Sequence, residues 1–561
     1  MGLFIEPFLD LMHRLYDGPV NSLLAFSLVS ICLFVILQGL RARTIRVLPI
    51  PSCAHSYTAK PGASWIWGHE KSVFINEPGR AFRQWTELLG KTFRIKAAFG
   101  APDILVLSDV EGISYILGKK IYDYHHSKVV RPRVARLLGK GLGWVEGASE
   151  HRRMKRLVMP SLSAENIKAM SEDVRQAALV AIGDLQAHVD KTGASKMNIL
   201  EFTSRVTLNV IGRVAFLHDF EGGKSKDAIR ILSARRKGAS AIAEYAGFLT
   251  LMLLRRFPIL NDLPIFAIQA QGLAKMTIQD GVAREMVKRT QSVGIDTLKG
   301  NNDLLSRLMI GNMNEEISTE ELYEQISTFV ISGHETTTQT LGFTIWELAR
   351  HPDKQERLRS ELESFGREPS YDDFQSKLPY LDAVLKETLR LYPGLPYMER
   401  VATKHDVIPL GSAVTGSRGK PVSEVVVQPG QVVLIPIIAI QRCDSIWRNP
   451  DDFYPERWLG DLPDVNNLPT GWAHLLAFSD GPRSCIGMRL AIFQYKVDTI
   501  KLFAWAAKHN PFQIILSSLM KQFRFRDTGA PISLKIASSL QPWVLGKKEE
   551  GPQLPVVVEH I

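Results

Sequence analysis

The chain of 561 residues predicts a mainly α-helical body with small peripheral β-sheets. Three observations carry that expectation. Segments 164–189, 199–216, 271–289, 318–350, 354–363, 380–391 and 488–508 place apolar residues at the 3.6-residue period of a buried helix face. Strand-like runs are fewer and shorter, at 92–97, 103–108, 425–427 and 432–435, the last one introduced by a Pro429-Gly430 turn. The composition, 45% hydrophobic and 22% charged, supplies a large core and excludes a disordered tail, a collagen-like chain and a disulfide-stapled scaffold. No repeat with a period of roughly 20–50 residues interrupts the pattern, so everything after residue 68 reads as one body.

The N-terminus reads differently. Residues 20–40 carry no charge and are rich in Leu, Val, Ile and Phe, and about 20 such residues span the ~30 Å hydrocarbon core of a bilayer as a helix. Arg41, Arg43 and Arg46 follow immediately, which puts the remainder of the chain in the cytosol and residues 1–19 in the lumen. Those first residues lack the basic start and small-residue cleavage site of a signal peptide, so the span is expected to stay as an anchor. Residues 41–68 form a basic, Pro-rich linker in which Pro49, Pro51 and Pro61-Gly62 stop the helix, and the main body occupies 69–561. The net charge of +10 is modest for this length, and no basic stretch with interleaved aromatics points to nucleic acid. Cys32, Cys53, Cys443 and Cys485 form no CxxC pair, which argues against structural zinc.

Four stretches carry chemistry. FSDGPRSCIG, 478–487, combines a Gly481-Pro482 turn, the cation Arg483, and Cys485 just before a helix whose first N–H groups favour a thiolate. KETLRLYP, 386–393, places Glu387 and Arg390 three residues apart on one helix face, and PERW, 455–458, follows with Arg457. ISGHETTTQT, 331–340, sets Ser, Gly, His and several Thr inside a long apolar helix, where local propensity opposes the surrounding pattern. Its hydroxyls could simply bond the preceding carbonyls. EGASEHRRMKRLVMPSLS, 146–163, carries the cations Arg152, Arg153, Lys155 and Arg156, either a solvated face or a docking surface for an acidic protein.

The first stretch resembles the haem-binding loop of the cytochrome P450 superfamily, FxxGxRxCxG, with Phe478, Gly481, Arg483, Cys485 and Gly487 matching all five fixed positions. The resemblance implies a P450 fold, a haem b with Cys485 as axial ligand of the iron, Phe478 packed near the sulfur, and Arg483 on a haem propionate. It further implies a structural triad of Glu387, Arg390 and Arg457, a second propionate contact from Arg400, and a distal helix in which Glu335 and Thr336 act as the acid and alcohol that deliver protons to dioxygen. Ser332 stands where the family usually has Ala or Gly. His151 and Lys155 occupy the spacing of the usual WxxxR, which transfers a propionate contact to His151.

The activity implied is that of a monooxygenase fed with electrons from NADPH through NADPH-cytochrome P450 reductase, with cytochrome b5 as a further partner, at the endoplasmic reticulum membrane. The pocket segments 121–131, 216–263, 328–332 and 393–398, with Tyr124, Tyr397 and Met398, suggest an apolar small molecule. The overall flavour is that of fungal members acting on terpenoids or other secondary metabolites. Fatty acid or xenobiotic hydroxylation, a haem-thiolate isomerase, dehydratase or peroxygenase, and a non-catalytic haem-binding membrane protein remain as alternatives. A cysteine hydrolase using Cys485 lacks a His and Asn context.

Overall fold

The computed structural model describes residues 63–561 except 65, 244, 264–265, 293–294, 366, 368, 417–420 and 504–522. The expected membrane span 20–40 and its flanks 1–19 and 41–62 lie outside the described residues. Among those described, no helix is long and apolar enough to cross a membrane.

The principal helices are α1 (Arg80–Leu89), α2 (Val130–Leu137), α3 (Ala148–Val158), α4 (Ser171–Thr192), α5 (Ile199–Phe216), α6 (Lys226–Ala243), α7 (Phe266–Thr277), α8 (Thr319–Arg350), α9 (Pro379–Leu391) and α10 (Met488–Phe503). The strands are β1 (Thr92–Ile95), β2 (Ile104–Leu107), β3 (Tyr124–His125), β4 (Ser195–Asn198), β5 (Met398–Ala402), β6 (Asp406–Thr415), β7 (Pro421–Val427), β8 (Val432–Ile435), β9 (Phe523–Asp527), β10 (Ile532–Ile536), β11 (Leu540–Val544) and β12 (Pro555–His560). They form a five-stranded sheet in the order β1-β2-β8-β5-β3, a three-stranded sheet β4-β12-β9, and the pairs β6-β7 and β10-β11.

The central element is α8. Its 32 residues start at a capping box, in which the Ser318 hydroxyl accepts from the Glu321 N–H at 3.1 Å and the Glu321 carboxylate accepts from the Ser318 N–H at 2.9 Å. α5 crosses it closely because α8 has glycine at both crossing points: a Cβ on Gly333 would lie 2.7 Å from Ile211 Cδ1, and one on Gly342 2.6 Å from Leu200 Cδ2. On another face, Thr344 Oγ1 meets Thr388 Oγ1 at 3.0 Å and the Tyr495 hydroxyl at 2.9 Å, which ties α8 to α9 and α10 through buried hydroxyls.

Some elements depart from expectation. Segment 164–189 divides at Met170 into Ala164–Ala169 and α4, and 271–289 contains a wider turn at Ile278–Ala283. The strand expected over 92–97 ends at Ile95 because the Lys96 N–H leaves the ladder for His69 Nδ1 at 2.9 Å. Ser64 and Gly68, read as linker, exchange two backbone hydrogen bonds of 2.8 Å. Several strands escaped the reading, β5 among them, because MERVA carries Glu399 and Arg400 in mid-strand and has no clean polar alternation.

Glu387, Arg390 and Arg457 come together, and the Glu387–Arg390 pair is wholly buried. Arg390 grips Glu387 through two hydrogen bonds of 2.8 Å, with both side chains 0% exposed, and Arg457 Nε reaches the same carboxylate at 3.0 Å. The Tyr454 N–H and Trp458 Nε1 add contacts of 2.9 Å each, so the carboxylate is fully satisfied. Arg390 then spends its remaining donors on the carbonyls of Gln441, Pro450 and Asp452. Burial alone would raise the Glu387 carboxyl, but the hydrogen bond and charge of Arg390, with Arg457, hold it below its ordinary value of 4.5.

Removing one partner strands a buried charge, so Arg390→Ala is expected to cost about 3–5 kcal/mol, measured by denaturant unfolding; an unchanged midpoint would contradict the role. Because the folded value of Glu387 is depressed, its contribution to stability is complete above pH 4.5 and is lost as pH falls through that lower folded value.

Candidate functional site

The loop 478–487 is shaped by its backbone. Gly481 adopts φ +68°, and a Cβ there would lie 2.1 Å from the Leu117 carbonyl, so the loop sits directly on the segment Tyr115–Lys119. The Cys485 N–H donates to the Phe478 carbonyl at 2.9 Å and Ser484 to Gly481 at 3.0 Å, closing the turn that presents the cysteine. Phe478 stands edge-on to Trp472 with ring centres 5.5 Å apart. Cys485 is exposed on one side and crowded by protein on the others. Crowding raises the thiol above its ordinary value, whereas the N–H groups of Gly487 and Met488 pull it back, the effect expected at a helix start. A Cβ on Gly487 would meet no protein atom within 4 Å, so glycine leaves room beside the sulfur and relieves no protein clash.

The expected propionate contacts converge. Arg483 donates to Glu146 Oε2 at 2.9 Å and to the Val145 carbonyl. Arg400 is half-buried beside Arg483; desolvation, followed by that neighbouring charge, lowers it to about 10. Its Nε has no acceptor, an orphaned buried donor. His151 is 4% exposed with Nδ1 3.1 Å from the Tyr122 hydroxyl, and burial, Arg483 and Lys155 lower it to about 4, so it is neutral. Lys155 donates to the Pro482 carbonyl at 2.9 Å and steadies the loop from behind. Sequence reasoning missed His126 and Glu146: His126 Nδ1 and Glu146 Oε1 lie 2.6 Å apart, and although burial opposes it, His126 and Arg483 hold Glu146 at about 2. Their signal, HH before a glycine-rich turn and a Glu after it, is too weak to read without the fold.

α8 resolves the distal motif into two faces. Ser332 and Thr336 donate to carbonyls four residues back, Thr328 at 2.6 Å and Ser332 at 3.0 Å, and Thr336 is exposed beside Gly394, whose Cβ would lie 3.4 Å from Thr336 Cγ2. Glu335 does not share that face. It is paired with Arg235, accepts from the hydroxyls of Ser538 and Ser539, the latter at 3.0 Å, and from Gln541 Nε2 at 3.2 Å. With His334 and Thr338 it borders a cleft of about 460 Å3 between α5, α6 and α8 that is open to solvent. His334 touches Ser204 Oγ at 2.8 Å and is lowered to about 3 by burial and by Arg235.

Two expected pocket residues turn elsewhere. The Tyr124 hydroxyl donates to Asp406 at 2.9 Å, and the Tyr397 hydroxyl accepts from the Gly79 N–H at 2.8 Å under the ring of Phe82. In the basic stretch, Arg153 is engaged by Glu150 and Glu321 and Lys155 by Pro482, which leaves Arg152 and Arg156 exposed.

A cysteine sulfur served by two backbone N–H groups, with two arginines and a neutral histidine beside it and an orphaned donor on one of them, fits a thiolate-ligated haem. That is the class of protein. The family model described as Cytochrome P450 matches residues 59–505, and the chain belongs to that family. It is 29% identical over 510 residues to cytochrome P450 monooxygenase claQ of Ampulloclitocybe clavipes, covering 87% of this chain and 90% of that one. Cytochrome P450 monooxygenase claW of the same fungus is 27% identical over 536 residues, 92% of this chain and 95% of its own. Cytochrome P450 monooxygenase 128 of Postia placenta is 27% identical over 545 residues, 92% and 94%. The protein is thus a monooxygenase of the family that uses thiolate-ligated haem iron and electrons from a reductase partner.

Gly481→Ala is expected to push the loop off the Leu117 carbonyl and to give protein that retains haem poorly, read as the ratio of Soret to protein absorbance; a normal ratio would refute this packing.

Proposed function

We propose that this monooxygenase is anchored in the endoplasmic reticulum membrane by residues 20–40, faces the cytosol, and inserts one oxygen atom of O2 into an apolar small molecule, a terpenoid or other secondary metabolite. Electrons reach it from NADPH through NADPH-cytochrome P450 reductase, with cytochrome b5 as a further donor and the exposed Arg152 and Arg156 as part of the docking face. The observation that carries the reading is the loop that aims two N–H groups at Cys485 while Arg483, Arg400 and His151 gather next to it. When bound there, haem supplies the oxidising chemistry.

The roles of the chain follow. Cys485 would supply the thiolate that holds the haem iron, and Gly487 keeps its approach open. Arg400 and Arg483 would bind the propionates, with His151 as a neutral neighbour, and Glu146 fixes the orientation of Arg483. Thr336 presents its hydroxyl to the substrate chamber and keeps it aligned by donating to Ser332, so it can pass a proton onward. Glu335, held as a carboxylate by Arg235 on the opposite face, lies where the solvent cleft reaches it and can relay a proton from that side.

Cys485→Ser is expected to abolish the thiolate-type Soret band of the reduced carbon monoxide complex, and its persistence would refute the ligand assignment. Thr336→Ala is expected to preserve substrate binding and NADPH consumption while product falls about tenfold or more and hydrogen peroxide rises; unchanged coupling would count against the relay. Substrate class is tested by product analysis after co-expression with a reductase and a panel of terpene scaffolds.

A further inference from the structure

The turn between β10 and β11, residues 537–539, is held by two half-buried arginines that differ in one respect. Arg235, from α6, donates to Ser538 Oγ at 3.0 Å and is neutralised by Glu335. Arg133, from α2, donates to the Ala537 carbonyl and has no carboxylate partner among the described residues. Its charged neighbours are Arg136, which repels it, and Glu399, whose carboxylate is taken at 2.8 Å by Arg255, a residue that also holds Glu70 at 2.8 Å. The other cations of α2 are engaged: Arg136 with Asn261 Oδ1 at 3.0 Å, and Arg131 stacked 4.1 Å above the Trp144 ring. Burial, then Arg136, lowers Arg133 to about 10. A half-buried cation that donates to a carbonyl, and whose neighbouring carboxylate is held by another arginine, has no ion pair among the described residues, and a carboxylate matches the guanidinium fork better than any neutral group.

The position of Arg133 tells what could bring that carboxylate. The Leu540 N–H, just past the turn, donates at 3.0 Å to the Gly394 carbonyl, and Gly394 borders Thr336. The 537–539 turn that Arg133 holds is thereby connected, through Leu540 and Gly394, to the exposed face of Thr336, where Ser332 and Thr336 have already donated their hydroxyls to their own helix. Arg483 and Glu146 are the further charged neighbours of Arg400, while Glu399 acts on both Arg400 and Arg133.

We propose that Arg133 receives the carboxylate of an otherwise apolar substrate and so sets which end of it approaches Thr336. This rests on the monooxygenase reading above and narrows its substrate class to apolar acids.

The test uses the holoenzyme and ligands that do not depend on knowing the substrate: imidazole alone, and a series of ω-(imidazol-1-yl)alkanoic acids of increasing chain length with their methyl esters, each titrated by the Soret shift. The expected result is that at one or more chain lengths the acid binds about tenfold or more tighter than its ester. Arg133→Gln should abolish that preference with ester affinity unchanged, and Arg133→Lys should keep part of it. Equal binding of acid and ester at every length overturns the proposal, as does an equal loss of both in Arg133→Gln, or faster haem loss in that variant, which would make Arg133 a propionate contact. Absence of the thiolate-type Soret band from the reduced carbon monoxide complex of the wild-type protein would instead refute the haem-thiolate reading.

Discussion

The arrangement of the site depends on one buried ionic hub. Glu387 and Arg390 have no solvent contact, and an ion pair taken out of water repays its desolvation only when every remaining lone pair and proton finds a partner. That condition is met by Arg457, Trp458 and the Tyr454 N–H on one side and three backbone carbonyls on the other. Such a hub adds little net stability compared with apolar packing, but it accepts one geometry and penalises the rest. Gln441 transmits that geometry: its amide donates to the carbonyls of Leu389 and Arg390, and its oxygen accepts from the Leu476 N–H at 2.8 Å, two residues before Phe478. The end of α9 and the start of the cysteine loop are thereby held in one frame.

α8 meets a different constraint. Thr and Ser are poor interior residues for a helix because their hydroxyls compete for the backbone, yet α8 runs unbroken for 32 residues. The competition is resolved within the helix, since Thr328, Ser332, Thr336, Thr337, Thr338, Thr340 and Thr344 each donate to a carbonyl four residues back. The bland reading of this stretch, hydroxyls satisfied by their own helix, and the functional one describe the same atoms. A hydroxyl that donates backward has its lone pairs pointing outward, which on Thr336 is the face turned to the chamber.

What could be read from sequence follows the distance over which each feature is encoded. The cysteine loop, the Glu387-Arg390 pair and helix 199–216 are local patterns, and the structure forms each of them where expected. Glu335 and Thr336, adjacent in sequence, were read as one working pair; an α-helix turns about 100° per residue, so neighbours face apart, and the fold hands Glu335 to Arg235 and the 538–541 segment. Arg235 lies about a hundred residues upstream on α6, and the 538–541 segment some two hundred downstream on a hairpin whose strands gave no strong signal. Glu146 and His126 are known only through Arg483, more than three hundred residues away. Tyr124 and Tyr397 looked like pocket residues by position, but a buried phenol must place its hydroxyl, and Asp406 and the Gly79 backbone claim both.

The interior contains an unusual number of arginines, and their partners divide them by purpose. Arg390, Arg457, Arg255 and Arg235 each meet a carboxylate of the chain, and burial is balanced locally. Arg483 shares Glu146 with His126, so a single acid serves two bases and the cradle retains net positive character together with Arg400. A fold that already supplies acids for four arginines is capable of supplying more, and placing the charge instead beside an open chamber keeps it for something that arrives from outside. On the readings proposed above, Arg400 and Arg483 answer the anionic groups of the cofactor and Arg133 that of the molecule it oxidises.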